Sequence, residues 1–281
     1  MVSPRVTICI PHYMREELLM RCLWAVKKNV TLPYSLIIIN DSKKPLFFND
    51  RKITVINNLE KKGLSAARQQ FLKLVNTEYL FFLDDDIIVL PNSLEFQIGA
   101  LDNYSELAAV SGLLFSNFKI RGAANFEFRG KKVIKKTFDT TTIFSCAKDH
   151  LFFADFIPIA HTLFRTKAVK NLSFDPEYKM GYEHWDFFMQ LYFAKWKCAV
   201  HTKSIFVDLY RKSPKEYHKE RYRKSILKAS RAHFIRKWGY IPVESVISRN
   251  EVPKNLIKNV FNKSVLAVYA KVLINCPFFI I

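Results

Sequence analysis

The chain has 281 residues, of which 49% are hydrophobic, so it can bury the core of one large α/β domain or of one domain with an appendage. Its net charge of +19 favours polyanionic partners such as nucleic acid, an anionic membrane or phosphorylated substrates, and equally suits a lysine-rich surface that serves solubility. No stretch reaches the roughly 18 apolar residues of a membrane span. The five cysteines form no Cys-x-x-Cys pair, and the N-terminus carries no signal peptide, so we expect reduced thiols in a cytoplasmic protein.

The first part of the chain alternates strand and helix patterns. Strands are predicted at residues 6–10, 36–39, 52–56 and 79–83, and helices at residues 16–26 and 65–74. The apolar runs are continuous, which is typical of strands that are covered on both faces. The alternation therefore predicts an α/β fold with a mostly parallel, Rossmann-like sheet flanked by helices.

The second part of the chain is less regular. Residues 113–155 have weak periodicity and show no clear chemistry. Strands are predicted at residues 157–164 and 199–208, and a helix is predicted to begin near Glu183. Residues 212–237 are charged and have helical propensity, so we interpret them as a basic helix.

Polar residues follow three of the predicted strands. They are residues 11–12, 40–42 and 84–86. In sheets of this kind ligands bind beyond the carboxyl ends of the strands, so these residues predict a site at that edge.

Three consecutive acidic residues, Asp84, Asp85 and Asp86, follow the apolar strand. Like charges so close together repel each other unless a cation or hydrogen-bond donors compensate them. Carboxylates at a rigid strand end are suitable oxygen ligands for Mn²⁺ or Mg²⁺, which can neutralise a departing diphosphate. The alternative is a solvated acidic turn that caps the helix after Pro91.

Four segments in the first 95 residues together resemble glycosyltransferase family 2 in order and spacing. They are TICIPHYMREELL at residues 7–19, IIINDS at 37–42, KGLSAAR at 62–68 and FLDDD at 82–86. The resemblance implies a GT-A type fold, a nucleotide-sugar donor, with a UDP-sugar favoured, and a divalent metal, Mn²⁺ or Mg²⁺. It also implies a catalytic domain over residues 1–210, divided into a nucleotide-sugar half (1–95) and an acceptor half (96–210), before a basic helical C-terminal extension (211–281).

The resemblance assigns roles to individual residues. The donor-binding residues that it implies are Pro11, Tyr13, Asp41, Arg68, Asp84 and Asp85. Asp84 would face the nucleoside, and Asp86 would bind the metal with a contribution from Asp84. Taken singly, Gly63 also suits a helix-starting turn, and Arg68 an exposed helix position.

Residues 174–188 resemble the acceptor-side motif of the same superfamily and, with Arg165, that of β-1,4-N-acetylgalactosaminyltransferases. An inverting transfer needs a general base on the acceptor hydroxyl, and Glu183 and Asp186 lie three residues apart on one helix face. Both are therefore candidate catalytic bases. His184 stands where the commoner motif has its second acid, so the choice between them stays open. A helix N-terminus whose dipole favours acids is the structural alternative.

Many members of the resembling families have a further metal ligand at the end of the following strand, which is Asp208 here. His201, at the start of that strand, is a weaker candidate for the same role. The apolar tail at residues 259–281 either lies on the inner face of a membrane, where it would accompany a lipid-linked glycan acceptor, or docks on the protein's own core.

Two other classes of function are compatible with the fold pattern. A nucleotidyltransferase would need a glycine-rich basic loop after the first strand, which residues 11–15 lack. A non-catalytic glycan- or nucleotide-binding module would show neither metal dependence nor turnover. No recognised nucleic-acid-binding motif is present, so we expect no nucleic-acid partner. A glycan or glycoconjugate acceptor and, as the transferred sugar, an N-acetylhexosamine are favoured.

Overall fold

The computed structural model describes residues 3–58, 60–116, 119–121, 123–209, 213–221 and 223–244. The strands are β1 (Val6–His12), β2 (Tyr34–Asn40), β3 (Ile53–Asn57), β4 (Tyr79–Leu83), β5 (Ile87–Val89), β6 (Leu107–Ser116), β7 (Lys119–Arg121), β8 (Ala124–Arg129), β9 (Lys132–Thr137), β10 (Leu151–Ala154), β11 (His161–Arg165), β12 (Lys197–Asp208) and β13 (Ile241–Glu244). The helices are α1 (Glu16–Asn29), α2 (Leu64–Leu74), α3 (Ser93–Asn103), α4 (Thr140–Cys146), α5 (Thr166–Val169), α6 (Glu183–Phe193), α7 (Lys215–Arg221) and α8 (Lys224–Trp238).

The large sheet has the strand order β10-β12-β6-β11-β4-β1-β2-β3, with β5 beside β12 and β7 beside β6. Strands β12, β6, β4, β1, β2 and β3 run in one direction, whereas β11 and the edge strand β10 run in the other. This confirms the predicted α/β fold with a mostly parallel sheet. Since β1, β2 and β4 are parallel neighbours, their carboxyl ends meet at one edge.

The continuous apolar strands are covered on both faces. In β4, Phe81 and Leu83 pack in one hydrophobic core, whereas Leu80 and Phe82 pack in the core on the other face. This follows from the alternation of side chains along a strand. The two cores fix the sheet rigidly, so the loops that follow its strands start from well-defined positions.

The middle of the chain, which has weak periodicity in the sequence, forms β6 and most of a second, three-stranded sheet with the order β13-β9-β8. β13 pairs with β9 in parallel, with Ile241 opposite Lys132. β13 follows β9 by more than a hundred residues, so no local pattern in the sequence indicates that these two strands pair.

The predicted basic helix is divided into α7 and α8, and Arg223 directly precedes α8. Phe234 of α8 is fully buried and packs 6.0 Å from Trp185 of α6, between ring centroids. The part of the predicted extension that the structure describes therefore shares the core of the large sheet. The domain boundary near residue 210 stays a prediction, and the apolar tail at residues 259–281 lies outside the described residues.

Candidate active site

A cavity of about 270 Å³ opens at the carboxyl ends of β1, β2 and β4. Four of the predicted donor-binding residues line it: Pro11, Tyr13, Asp41 and Asp84. The other two lie behind its wall, because Arg68 and Asp85 are both fully buried. The cavity is thus at the edge where the sequence predicts a ligand site.

Asp41 connects the end of β2 to the turn before α2. Its Oδ1 accepts a hydrogen bond from Asn58 Nδ2, and its Oδ2 accepts one from the backbone N–H of Gly63, both at 2.7 Å. Gly63 has φ +91°, a conformation that L side chains rarely adopt, and it directly precedes α2. This network holds the cavity wall formed by residues 61–64.

The backbone of the acidic triplet is held on both sides. Asp84 N–H donates to Ala160 at 2.9 Å, and Ile87 N–H donates to Asp84 O at 3.1 Å. On the far side, Leu209 N–H donates to Asp86 O at 2.8 Å. Main-chain hydrogen bonds therefore hold the turn between β4 and β5, in addition to the contacts of its side chains.

Arg15 neutralises much of the triplet's charge. One of its guanidinium nitrogens contacts Asp85 and the other contacts Asp86, and all three side chains are buried. His12 Nδ1 donates to the second oxygen of Asp85 at 2.7 Å. Asp85 is thus directed toward β1 and away from the cavity.

The surroundings of Asp86 do not fully compensate the negative charge of its carboxylate. Its pKa is raised to about 7, first by burial and also by Asp84, Asp85 and Asp208, although Arg15 acts in the opposite direction. Such a set of oxygen donors is suited to a hard divalent cation. Within the described ranges, no group of three or more His, Cys, Asp or Glu side chains is arranged to hold a metal. The residues fit a cation whose remaining ligands come from a substrate.

Asp208 and His201, the two candidates for a further metal ligand, lie in different surroundings. Asp208 ends β12 opposite Ile87, and its Oδ2 accepts a hydrogen bond from Ser116 at 2.9 Å. His201 lies on the same strand but stacks on Phe96, with ring centroids 5.1 Å apart. Of the two, Asp208 is the one whose charge acts on Asp86, where it raises the pKa.

Lysines bring positive charge to the cavity. Lys61, Lys62 and Lys179 all line it. Lys61 Nζ lies 4.1 Å from the centroid of the Tyr13 ring, which places a cation over the aromatic face. This combination suits a ligand with an aromatic base and a phosphate-rich part.

A chain of contacts connects the cavity to the start of α6. Arg68 donates from Nη2 to Asp84 at 3.2 Å and from Nη1 to His184 Nε2 at 2.7 Å. His184 Nε2 also lies 3.2 Å from Glu183 Oε1. The side chain of His184 is 35% exposed, whereas that of Glu183 is 5% exposed, so His184 is the more accessible of these two contacting residues.

Asp186 is fully buried and is held by three donors. It accepts hydrogen bonds from Trp238 Nε1 at 2.7 Å, Lys237 Nζ at 3.0 Å and Gln190 Nε2 at 3.0 Å. Burial raises its pKa, while the bonds from Lys237 and Trp238 act in the opposite direction. The Asp186 carboxylate therefore anchors α8 to α6.

Sequence reasoning assigned no role to Arg15, Lys61 or Lys179. Arg15 lies in the same motif as Pro11 and Tyr13, and Lys61 directly precedes the glycine motif, so proximity to known motifs was an available signal. Lys179 lies within the motif of residues 174–188, so the same signal was available for it, although that motif was assigned to the acceptor side.

The fold is similar to that of a solved structure described as "GalNAc-T7 with UDP, GalNAc and Mn2+". The TM-score is 0.60 at 14% sequence identity, and the match covers 73% of this chain and 43% of that one. At this identity the likeness supports the GT-A type fold alone.

Curated relatives are also similar over part of the chain. The UDP-Glc:alpha-D-GlcNAc-diphosphoundecaprenol beta-1,3-glucosyltransferase WfgD of Escherichia coli is 30% identical over 34% of this chain and 40% of its own length. Glycosyltransferase GlyA of Streptococcus pneumoniae is 24% identical over 62% of this chain and 26% of its own length. The alignments thus span less than half of each relative. The family model "Glycosyl transferase family 2" matches residues 7–156, more than half of the chain, so the protein belongs to glycosyl transferase family 2.

Proposed function

We propose that the chain is a metal-dependent glycosyltransferase that moves a sugar from a UDP-sugar to a glycan or glycoconjugate acceptor with inversion at the anomeric carbon. The observation that carries the proposal is the cavity itself, where Asp84 and three lysines converge beside the buried carboxylate of Asp86. Membership of the family supports the reaction type. An N-acetylhexosamine is the favoured sugar.

Different residues of the proposed donor site suit different parts of the nucleotide sugar. Tyr13 and Asp41 would bind the nucleoside, because an aromatic face and a fixed carboxylate suit a base with N–H donors. Lys61, Lys62 and Lys179 would bind the diphosphate. Arg68 acts from behind the wall by holding Asp84 in position.

Asp86, with Asp84 and Asp208, would hold Mn²⁺ or Mg²⁺. When bound, such a cation neutralises the charge that develops on the departing diphosphate. Asp85 is directed to His12 and Arg15, which supports a role in shaping the turn in place of direct contact with the donor.

We propose Glu183 as the general base. It would remove the proton of the acceptor hydroxyl as that oxygen attacks the anomeric carbon and the bond to the diphosphate breaks. The three donors on Asp186 support an anchoring role for that residue, because its oxygens are already bonded to Lys237, Trp238 and Gln190 and so join α6 to α8.

The acceptor is proposed to be lipid-linked, and the protein to work in the cytoplasm at the inner face of a membrane. The name of the Escherichia coli relative contains a diphosphoundecaprenol acceptor, and the net charge of +19 suits an anionic surface. No described helix has the length and apolar character required to cross a bilayer. Flotation with phosphatidylglycerol vesicles, compared with phosphatidylcholine vesicles, tests the association: recovery with neither argues against it.

Hydrolysis of nucleotide sugars tests the main proposal. With Mn²⁺, the wild-type protein should slowly hydrolyse at least one UDP-sugar, and EDTA should stop the reaction. Asp86→Ala should lower the rate by about 10²–10³-fold, the size expected when a key electrostatic contact to a developing charge is removed.

Asp50→Ala is the matched control, because Asp50 is exposed and its carbonyl binds the N–H of Ile53 at the opposite edge of the sheet. It should hydrolyse the donor at the wild-type rate. Equal hydrolysis by Asp86→Ala would reject the metal assignment, and no hydrolysis of any donor by the wild type would favour a non-catalytic binding module.

A further inference from the structure

We infer that Arg15 is an internal counter-cation of the acidic triplet and that it limits the affinity of the site for a divalent cation by competing for Asp86. The inference rests on the proposed function, because it assigns Asp86 to the cation site. It goes further in assigning to Arg15 the control of when Asp86 is available to a cation.

The contacts of Arg15 carry the inference. Its side chain is 6% exposed, and its two terminal nitrogens contact Asp85 and Asp86. An arginine that bridges two carboxylates through charge-assisted hydrogen bonds is a strong pairing, and breaking such a pair in a buried site leaves charge uncompensated. A cation bound by Asp86 would compete with Arg15 for the same carboxylate.

The position of Arg15 in the fold points to the same role. Arg15 is the residue before the first turn of α1, and its side chain caps no N–H of that helix. A positive charge is disfavoured there by the helix dipole. The pairing with Asp85 and Asp86 is therefore the interaction that accounts for a buried arginine at this point.

Arg15 is also placed so that it can exchange partners. It lines the cavity together with Lys61, Lys62 and Lys179, so the guanidinium lies at the wall where a diphosphate would bring negative charge. On its other side Tyr217 of α7 covers it, with the guanidinium carbon 4.4 Å from the ring centroid. Once a cation takes Asp86, the oxygens of a bound nucleoside diphosphate would replace that carboxylate beside Arg15, which stays paired with Asp85. Cation and nucleotide should consequently bind cooperatively.

Calorimetric titration of the full, metal-free chain with MnCl₂, without nucleotide, tests this inference. Arg15→Gln removes the charge and keeps hydrogen-bond donors, and it should bind Mn²⁺ about tenfold more tightly than the wild type, since a charge-assisted competitor is lost. Arg15→Lys should fall between the two, because lysine keeps the charge and cannot bridge two carboxylates.

Arg5→Gln is the matched control. Arg5 also pairs with two carboxylates, Glu78 and Asp102, but its side chain is 51% exposed and it does not line the cavity. It should bind Mn²⁺ as the wild type does. An unchanged or weaker affinity in Arg15→Gln, or no Mn²⁺ binding by either protein, overturns the inference, whereas binding gained only in Arg15→Gln supports it.

Thermal unfolding with and without Mn²⁺ is a second measurement, and it also shows whether the variants fold. Arg15→Gln should have a lower Tm without metal, because it leaves carboxylates buried and unpaired, and Mn²⁺ should raise its Tm more than that of the wild type. If Arg15→Gln does not fold, the titration of Arg15→Lys with MnCl₂ replaces it, and wild-type affinity in Arg15→Lys overturns the inference.

Donor hydrolysis separates the role of Arg15 from the proposed function. If the wild type shows Mn²⁺-dependent hydrolysis but Arg15→Gln binds Mn²⁺ with unchanged affinity, only the role of Arg15 is refuted. If Arg15→Gln binds Mn²⁺ more tightly but no hydrolysis occurs, only the transferase is refuted.

Discussion

The cavity edge of the sheet, at the carboxyl ends of β1, β2 and β4, and the start of α6 both present carboxylates, but these are compensated by different means. At the cavity edge, Asp84–Asp86 are balanced by Arg15 and Arg68, which come from the first quarter of the chain. At the start of α6, Asp186 is balanced by Lys237 and Trp238, which come from the last described helix. Asp86 pairs with Arg15 at the wall of a cavity, whereas Asp186 accepts hydrogen bonds from three side chains. A carboxylate beside the cavity can exchange its partner for a ligand, whereas one held by three side chains serves to join two helices.

The largest effect should come from Glu183. Glu183→Gln should lower the turnover number of sugar transfer about 10²–10⁴-fold, because it removes the proposed base and keeps the side-chain volume. The dissociation constant for UDP, measured by calorimetry, should stay within about twofold of the wild type, as expected when only transition-state interactions are lost. Glu177→Gln, an exposed position on the preceding loop, should transfer sugar normally.

Asp186→Asn should have a smaller and different effect. It removes the charge that pairs with Lys237, so we expect a loss of about 2–3 kcal/mol in the free energy of unfolding, measured with denaturant. Turnover per folded molecule should change little. If Asp186→Asn instead abolishes transfer at unchanged stability, the roles assigned to Glu183 and Asp186 must be exchanged.

Gly63→Ala should cost about 1–2 kcal/mol of unfolding free energy, because alanine is strained at φ +91°. The added methyl group meets no atom within 4 Å, so the cost comes from the backbone alone. UDP binding should weaken with it, since Asp41 accepts the Gly63 N–H. Gly99→Ala within α3, also with free space, should be neutral or stabilising, and an equal loss in both variants would contradict the explanation.

A further effect should appear in the pH dependence of the stability of the metal-free protein. The pKa of Asp86 is about 7, so between pH 4 and 7 the folded state binds more protons than the unfolded state, and Asp86 reduces stability as the pH rises through this range. Asp86→Asn should remove that slope.

Asp175, beside α8, should behave in the opposite sense. Although burial raises its pKa, His233, a backbone N–H and Lys237 lower it to about 2 in total. Asp175 therefore contributes stability above pH 4 that is lost as the pH falls toward 2. Asp175→Asn should destabilise the protein at pH 7 and have little effect near pH 2, as measured by thermal unfolding across pH.

Much of the cavity edge of the sheet could be predicted from sequence, because each of its strands and motifs is formed by residues that are close together in the chain. The strand over Tyr79–Leu83 is confirmed residue for residue, and the helix beginning at Glu183 is also confirmed. Pro11, Tyr13, Asp41 and Asp84 meet at one cavity because parallel neighbours end at one edge. Their individual functions stay predictions.

The parts of the fold and of the site that could not be predicted depend on contacts between residues far apart in the chain. β13 meets β9 across more than a hundred residues, and the donors on Asp186 come from α8, so neither leaves a periodic trace. The pairing of Asp186 was equally invisible, since a glutamate and an aspartate three residues apart look alike in sequence. The buried Arg15 could have been suspected from the three adjacent acids, which need a cation in any folded state.

The backbone bonds of the triplet have a consequence for how such a site can diversify. Ala160 and Leu209 hold the turn through main-chain atoms only. These bonds remain when a side chain on the turn is substituted, so the same backbone can present different side chains to the cavity. The turn thus combines a held main chain with side chains that are open to change.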